Sequence, residues 1–240
     1  MTDLPTIDPP APAAAPVAAT ASPVLARFTV GPFSENCYLV GEPPAVAVVD
    51  PGGESGRVIA AIDERGWRPE AILLTHGHLD HVAHCAHVAE RYGIGLGIHR
   101  GDLFLLEHVQ IPELAAMIGY REPPAPERFW EDGETVAVAG IELRVVHTPG
   151  HTPGGVCFIH EPSRTILAGD TIFHRGIGRT DLPGGDMATL ERSIRDRLFA
   201  LDGDYTLWPG HGPETRLAEE RLDNPFFGRH AAASNPPAWR

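Results

Sequence analysis

Thr75-His76-Gly77-His78-Leu79-Asp80-His81 decides how this chain is read: three imidazoles and a carboxylate are packed into positions 76–81. The stretch follows a short apolar run, Ala71–Leu74, that reads as a central strand. It precedes Val82–Tyr92, whose apolar spacing is helical, so the motif lies between a strand and a helix. In extended backbone, residues two apart point the same way, so His76 and His78 can face one cation. The turn into the helix re-aims Asp80 and His81 toward a second cation about 3.5–4 Å from the first, the usual two-metal spacing. Gly77 leaves room for that crowding. A solvated His-rich loop would explain one histidine pair, but it explains this cluster poorly.

Three further sites share the character of the first. Pro149-Gly150-His151-Thr152-Pro153-Gly154, Ala168-Gly169-Asp170-Thr171 and Trp208-Pro209-Gly210-His211-Gly212 each place one polar ligand type among Gly or Pro at the exit of an apolar run. Strand-end loops are where chemical residues collect. Imidazole and carboxylate donors suit zinc, iron or manganese rather than calcium or magnesium. The seven residues His76, His78, Asp80, His81, His151, Asp170 and His211 are too many for one tetrahedral ion. They divide over two divalent ions, zinc first, with iron or manganese as alternatives, and with a carboxylate bridging them.

Working outward, Val24–Val30, Cys37–Val40 and Ala45–Val49 read as a strand meander, Arg57–Arg65 as a helix ended by Gly66, and Gly95–Ile98 as a strand. Residues 101–118 carry amphipathic helical pieces, and 119–133, with Pro123, Pro124 and Pro126, read as a loop or cap. Strands follow at Thr135–Ala139, Ile141–Val146, Gly155–His160 and Thr165–Ala168. Then come a helix at Met187–Phe199, a strand at Tyr205–Trp208 and a helix at Glu214–Leu222. Strands then helices, twice over, predict an α/β (α+β) fold of two sheets with helices outside them.

The 240 residues suit one domain: residues 1–23 as a disordered Ala/Pro-rich extension, 24–228 as the domain, and 229–240 as a tail. The net charge of −13, with no Lys/Arg run, argues against nucleic-acid substrates. Cys37, Cys85 and Cys157 match no zinc ribbon and read as small buried hydrophobes. The acidic, Pro-broken start is no secretory signal, and no window reaches the length of a membrane span, so a soluble cytoplasmic protein is expected. Of the other histidines, His84 and His87 read as surface positions, and His147 as a satisfied buried one. His174 and Arg175 follow Asp170 closely and could border the pocket, while His99, His108, His160 and His230 carry no motif. Asp50 before Pro-Gly-Gly reads as shaping a turn near the site rather than binding metal.

The order HxHxDH, PGHT, GD, PGHG resembles the ligand pattern of the metallo-β-lactamase superfamily over roughly residues 24–225. The resemblance implies a four-layer αββα sandwich. His76, His78 and His151 would hold the first metal, Asp80, His81 and His211 the second, and Asp170 would bridge them. Phe33-Ser34-Glu35-Asn36-Cys37-Tyr38, Val49-Asp50-Pro51-Gly52-Gly53, Gly178-Arg179-Thr180-Asp181-Leu182-Pro183 and Glu220-Arg221-Leu222-Asp223-Asn224-Pro225-Phe226 are similar to the glyoxalase II group. The nearest likeness is to its compact bacterial type, which lacks the long helical C-terminal domain that grips glutathione. That likeness implies hydrolysis of a small-molecule thioester, S-2-hydroxyacylglutathione such as S-D-lactoylglutathione, by a metal-bridging hydroxide that Asp80 orients.

The lysine expected after the bridging Asp is replaced by Arg179, a candidate for a substrate carboxylate. An ion pair of Arg179 with Asp181 or Asp186 is an equal reading. Persulfide dioxygenases share the fold and a Gly-Arg-Thr-Asp segment, and there one iron would sit on His76, His151 and Asp170. A lactonase is a further alternative. A closed metal-binding module is disfavoured, because seven ligands for two ions leave open positions.

Overall fold

β1 (Val24–Val30) and β2 (Glu35–Gly41) pair antiparallel, with Phe28 opposite Cys37. β2 is buried along its whole length, which demands cover on both faces. The computed structural model describes residues 23–107, 112–229 and 231, so the expected extension, most of the tail, His108 and His230 lie outside the described residues. β3 (Ala45–Val49) continues the meander. α1 (Ser55–Glu64) then crosses to β4 (Arg68–Leu73), which runs parallel to β3. α2 (Leu79–Val82) and α3 (Cys85–Tyr92) lead to β5 (Leu96–His99). α4 (Leu103–Glu107), α5 (Pro112–Met117) and β6 (Arg128–Trp130) complete a sheet of order β1-β2-β3-β4-β5-β6.

The second sheet repeats the plan. β7 (Thr135–Val138), β8 (Ile141–His147), β9 (Val156–His160) and β10 (Thr165–Gly169) form its meander. A small hairpin, β11 (Ile172–Phe173) with β12 (Gly176–Ile177), and α6 (Met187–Arg192) follow. β13 (Thr206–Pro209) lies parallel to β10, β14 (Thr215–Arg216) pairs with β13, and α7 (Leu217–Asp223) follows. The order is β14-β13-β10-β9-β8-β7.

The strands' alternation sorts the apolar side chains into layers. Tyr38, Val49, Leu73, Trp130, Leu143, Phe158 and Leu167 fill the space between the sheets. Leu39, Val48 and Ile72 face α1 and α3 through Val58, Ile62 and Val88. Ile159 and Ile166 face the helices of the second half through Leu190, Ile194 and Leu198. The result is the αββα sandwich expected. The three cysteines are free and buried. No helix among the described residues is long and apolar enough to cross a membrane.

Four elements differ from expectation. The Val82–Tyr92 helix is interrupted because the His84 N–H donates to the Pro51 carbonyl (3.0 Å). The loop read over 119–133 contains β6, anchored where buried Trp130 donates from Nε1 to the Leu74 carbonyl (3.0 Å). The Met187–Phe199 helix widens after Arg192 into a π-helical turn, Ser193–Leu198, closed by Phe199 N–H to Ile194 O (2.8 Å). Glu214–Leu222 is not one helix: Thr215–Arg216 pairs with β13 before α7 starts.

Candidate metal centre

The ends of β3, β4, β8, β10 and β13 open on one edge of the sandwich and deliver Asp50, His76–His81, His151, Asp170 and His211 to it. Such strand ends are the usual place for a site in parallel sheets. The loops are close-packed there. A Cβ on Gly210 would sit 2.1 Å from Asp170 Oδ1 and 2.7 Å from His81 Cε1, so only glycine lets the His211 loop pass.

All seven residues singled out by the motif converge. The ligand atoms of His76, His78 and His151 lie within 4.8 Å of one another, as do those of Asp80, His81 and His211. Asp170 spans both groups: Oδ1 is 3.4 Å from His81 Nε2, while Oδ2 is 3.5 Å from both His151 Nε2 and His211 Nε2. His76, His78, His81 and His151 are buried, whereas Asp80 and His211 are half-buried and open to a cleft.

The far nitrogen of four of the imidazoles is held by an acceptor. His81 Nδ1 donates to Asp50 Oδ2 (3.1 Å), and His151 Nδ1 to the Arg179 carbonyl (2.7 Å). His211 Nδ1 donates to the Phe33 carbonyl (3.1 Å). His76 Nδ1 donates to Thr75 Oγ1 (3.1 Å), whose own proton goes to Asp50 Oδ2 (2.6 Å). These bonds leave each Nε2 facing the centre, as ligating histidines require. Burial, reinforced by neighbouring imidazoles, lowers the pKa of His76 far below its ordinary value. Burial likewise lowers His78 to about 3 and His151 to about 4, so all three are free bases at neutral pH. Burial opposes ionisation of Asp80, but the imidazoles of His81 and His211 outweigh it and hold that carboxyl well below the usual range. For His81, burial is outweighed by Asp170, Asp80 and Asp50, which raise its pKa strongly.

A cation fits this donor set. His81 Nε2 and Asp170 Oδ1 are buried without a hydrogen-bond partner. Leaving such atoms unsatisfied costs about 1–3 kcal/mol each. The two atoms lie 3.4 Å apart, and a cation near both would satisfy them.

Asp50 does shape the turn, at φ 49°, but it also reaches the site: Oδ1 accepts from Thr75 N (2.8 Å) while Oδ2 holds His81. Glu35, missed as an individual residue, is buried with both oxygens unpartnered, 3.8 Å from His81 Nδ1. The expectation that Gly77 relieves crowding among the imidazoles is not met. A Cβ there would instead strike Leu105 Cβ (2.9 Å) and the Asp102 carbonyl (3.1 Å).

The cleft beside the centre has a volume of about 740 Å³ and is walled by Phe33, Leu114, Phe173, Ile177, Leu182 and the Arg179–Asp181 pair. Arg179 bonds Asp181 through two parallel contacts of 2.7 Å, realising the ion-pair reading, while Asp186 caps α6 instead. His174 and Arg175 are not among the lining residues, and Arg175 turns to Asp223 (3.1 Å). His84 and His87 are half-buried rather than on the surface. His84 bridges Ser55 Oγ and the Ile118 carbonyl (both 2.8 Å). His147 is half-buried and satisfied by the Pro153 carbonyl (2.9 Å).

Residues 30–211 match the family model of the metallo-β-lactamase superfamily. The chain is 39 % identical over 200 residues to the hydroxyacylglutathione hydrolase GloC of Haemophilus influenzae, covering 81 % of this chain and 93 % of that one. It is 35 % identical to the probable metallo-hydrolase YqgX of Bacillus subtilis, covering 84 % and 96 %. Among solved structures it is similar to TTHA1623 in a di-iron-bound form, with 37 % identity, a TM-score of 0.76 and coverage of 84 % and 99 %. This chain belongs to the metallo-β-lactamase superfamily.

Proposed function

We propose that the protein is a two-metal thioester hydrolase that converts S-2-hydroxyacylglutathione, S-D-lactoylglutathione in particular, to a 2-hydroxy acid and glutathione. The observation that carries this reading is Asp170 lying between two three-residue groups beside a substrate-sized cleft. The similarity to GloC over most of both chains supports the thioester. Residues 24–228 are taken as the catalytic domain, and the free, buried cysteines fit a cytoplasmic setting.

In this reading His76, His78 and His151 would hold one cation, Asp80, His81 and His211 the other, and Asp170 would serve both. Zinc suits the donors, as do iron and manganese. Two bound cations would acidify a shared water and polarise the thioester carbonyl. Asp80, kept ionised by its imidazole neighbours, accepts a hydrogen bond from the attacking water and orients it. Phe33 and Phe173 flank His211, the latter ring edge-on at 6.0 Å, and exclude bulk water from that side. Arg179 meets a substrate carboxylate at the rim by exchanging its Asp181 partner. No side-chain nucleophile is needed: burial raises the pKa of all three thiols, so none supplies a thiolate.

Metal analysis of the purified protein, paired with hydrolysis of S-D-lactoylglutathione, tests this. Two metal ions per chain with thioester turnover are expected. One iron per chain, no turnover, and O₂ uptake with glutathione persulfide would replace the hydrolase with a dioxygenase.

A further inference from the structure

Asp102 lies just past β5, in a tight turn spanning Arg100–Asp102, and is fully buried. Nothing in the motif pattern points to it. Its oxygens nonetheless reach the two loops that deliver His76, His78 and His151. Oδ2 accepts from Gly77 N (3.0 Å) and from Thr152 Oγ1 (2.7 Å), and Oδ1 accepts from Gly154 N (2.5 Å). Gly77 stands between His76 and His78, while Thr152 follows His151. One carboxylate therefore joins the two arms of the first three-residue group.

The fit around it is close. A Cβ on Gly154 would come within 2.7 Å of Asp102 Cγ, and one on Gly101 within 2.9 Å of Gly154 N. All three partners donate, and two are backbone N–H groups that cannot reverse, so the position calls for an acceptor on both sides. An amide of the same shape turns an N–H₂ against one of those fixed donors. The second group is tied elsewhere. His81 is held by Asp50. The His211 loop is held by Asn36, which donates from Nδ2 to the Pro209 (3.0 Å) and Gly212 (2.9 Å) carbonyls, and by Tyr38 OH to the Pro209 carbonyl (2.6 Å).

We infer that Asp102 is a positioning residue that sets the separation of the His76/His78 pair from His151. It thereby sets the affinity of the first cation site and leaves the second site unchanged. The inference rests on the ligand assignment proposed above. Hydrogen-bonding partners one step removed from the metal typically govern affinity by 10–100-fold, and ligand geometry tolerates only about 0.5 Å of drift.

The test is a titration of metal-free, full-length protein with Zn²⁺ against a chromophoric chelator, comparing wild type with Asp102→Asn, Thr152→Val and Thr152→Ser. Wild type should bind two Zn²⁺. Asp102→Asn should weaken one binding step by about 10–100-fold and leave the other at its wild-type value. Thr152→Val should weaken the same step by a smaller factor, and Thr152→Ser, which restores the hydroxyl, should recover it. The Thr152 pair keeps the test intact if Asp102→Asn does not fold. Equal weakening of both steps would assign Asp102 a general structural role and overturn the inference, as would unchanged binding in Asp102→Asn and Thr152→Val. A wild type that binds fewer than two Zn²⁺ overturns the two-metal reading itself, which separates the two failures.

Discussion

Asp50→Asn removes a negative charge and one acceptor while keeping shape, and Asn tolerates the left-handed backbone found there, at φ 49°. Asp50 receives Thr75 N at 2.8 Å on Oδ1, and Thr75 Oγ1 at 2.6 Å and His81 Nδ1 at 3.1 Å on Oδ2. The backbone N–H cannot turn, so the amide oxygen stays with it and the N–H₂ faces Thr75 Oγ1 and His81. The hydroxyl rotates to accept. The imidazole must offer a lone pair at Nδ1, and its proton moves to Nε2, the atom 3.4 Å from Asp170. That is the wrong tautomer for a metal ligand. One charge-assisted bond is lost, about 1.5–3 kcal/mol of folding stability. The second cation site weakens by about 10–100-fold, or about 1.4–2.8 kcal/mol. Urea unfolding of the metal-free protein reads the first quantity, and Zn²⁺ titration the second. Unchanged binding in both steps, with the folded state intact, would refute the argument that Asp50 selects the tautomer of His81.

Four further outcomes follow from the geometry. Asp181→Asn frees Arg179 and should lower KM for thioesters whose thiol bears a carboxylate by about 2–5-fold, leaving neutral thioesters unaffected; steady-state kinetics on both classes decide it. Phe33→Ala should raise KM at unchanged metal content, because this half-exposed ring walls the cleft; a fall in kcat with KM constant would contradict a binding role. Phe158→Ala, at a fully buried position between the sheets, should cost about 3–5 kcal/mol of unfolding free energy without altering metal stoichiometry. The metal-free protein should be most stable near pH 6.5. Below it, unfolded chains take up protons that His76, His78 (about 3) and His151 (about 4) refuse when folded, so stability falls with pH. These three outnumber the buried acids Glu35 and Asp102, whose raised pKa values act the other way. Above pH 6.5, folded His81 and His211 keep protons that the unfolded chain releases, so stability falls again. Thermal melting from pH 4.5 to 8.5 checks this, and a monotonic rise would contradict it.

The four loops that converge at the strand ends were legible because each pairs a rare side-chain type with Gly or Pro at a strand exit, a local signal. The strands were legible for the same reason: Ala45–Val49 and Thr165–Gly169 are apolar runs between turn residues. β6 was hidden because three residues after a proline-rich stretch carry no period, and what makes them a strand is the distant partner β5. The break before α3 was equally invisible, since it depends on a carbonyl 33 positions away, at Pro51. Glu35 and Asp102 look like ordinary surface acids in the sequence. Only the packing of separate loops around them reveals that they are buried, and no short-range pattern encodes that.

The centre draws its residues from both halves of the sandwich: His76, His78, Asp80 and His81 hang from the first sheet, and His151, Asp170 and His211 from the second. On the proposed reading, a cation lodged among them would act as a bolt through two plates. Free metal at 100 times its dissociation constant would add about 2.7 kcal/mol to the folded state. The stability of this protein would then depend on metal supply as well as on its own packing. Without that tie, the apolar seam between the two sheets would open more readily.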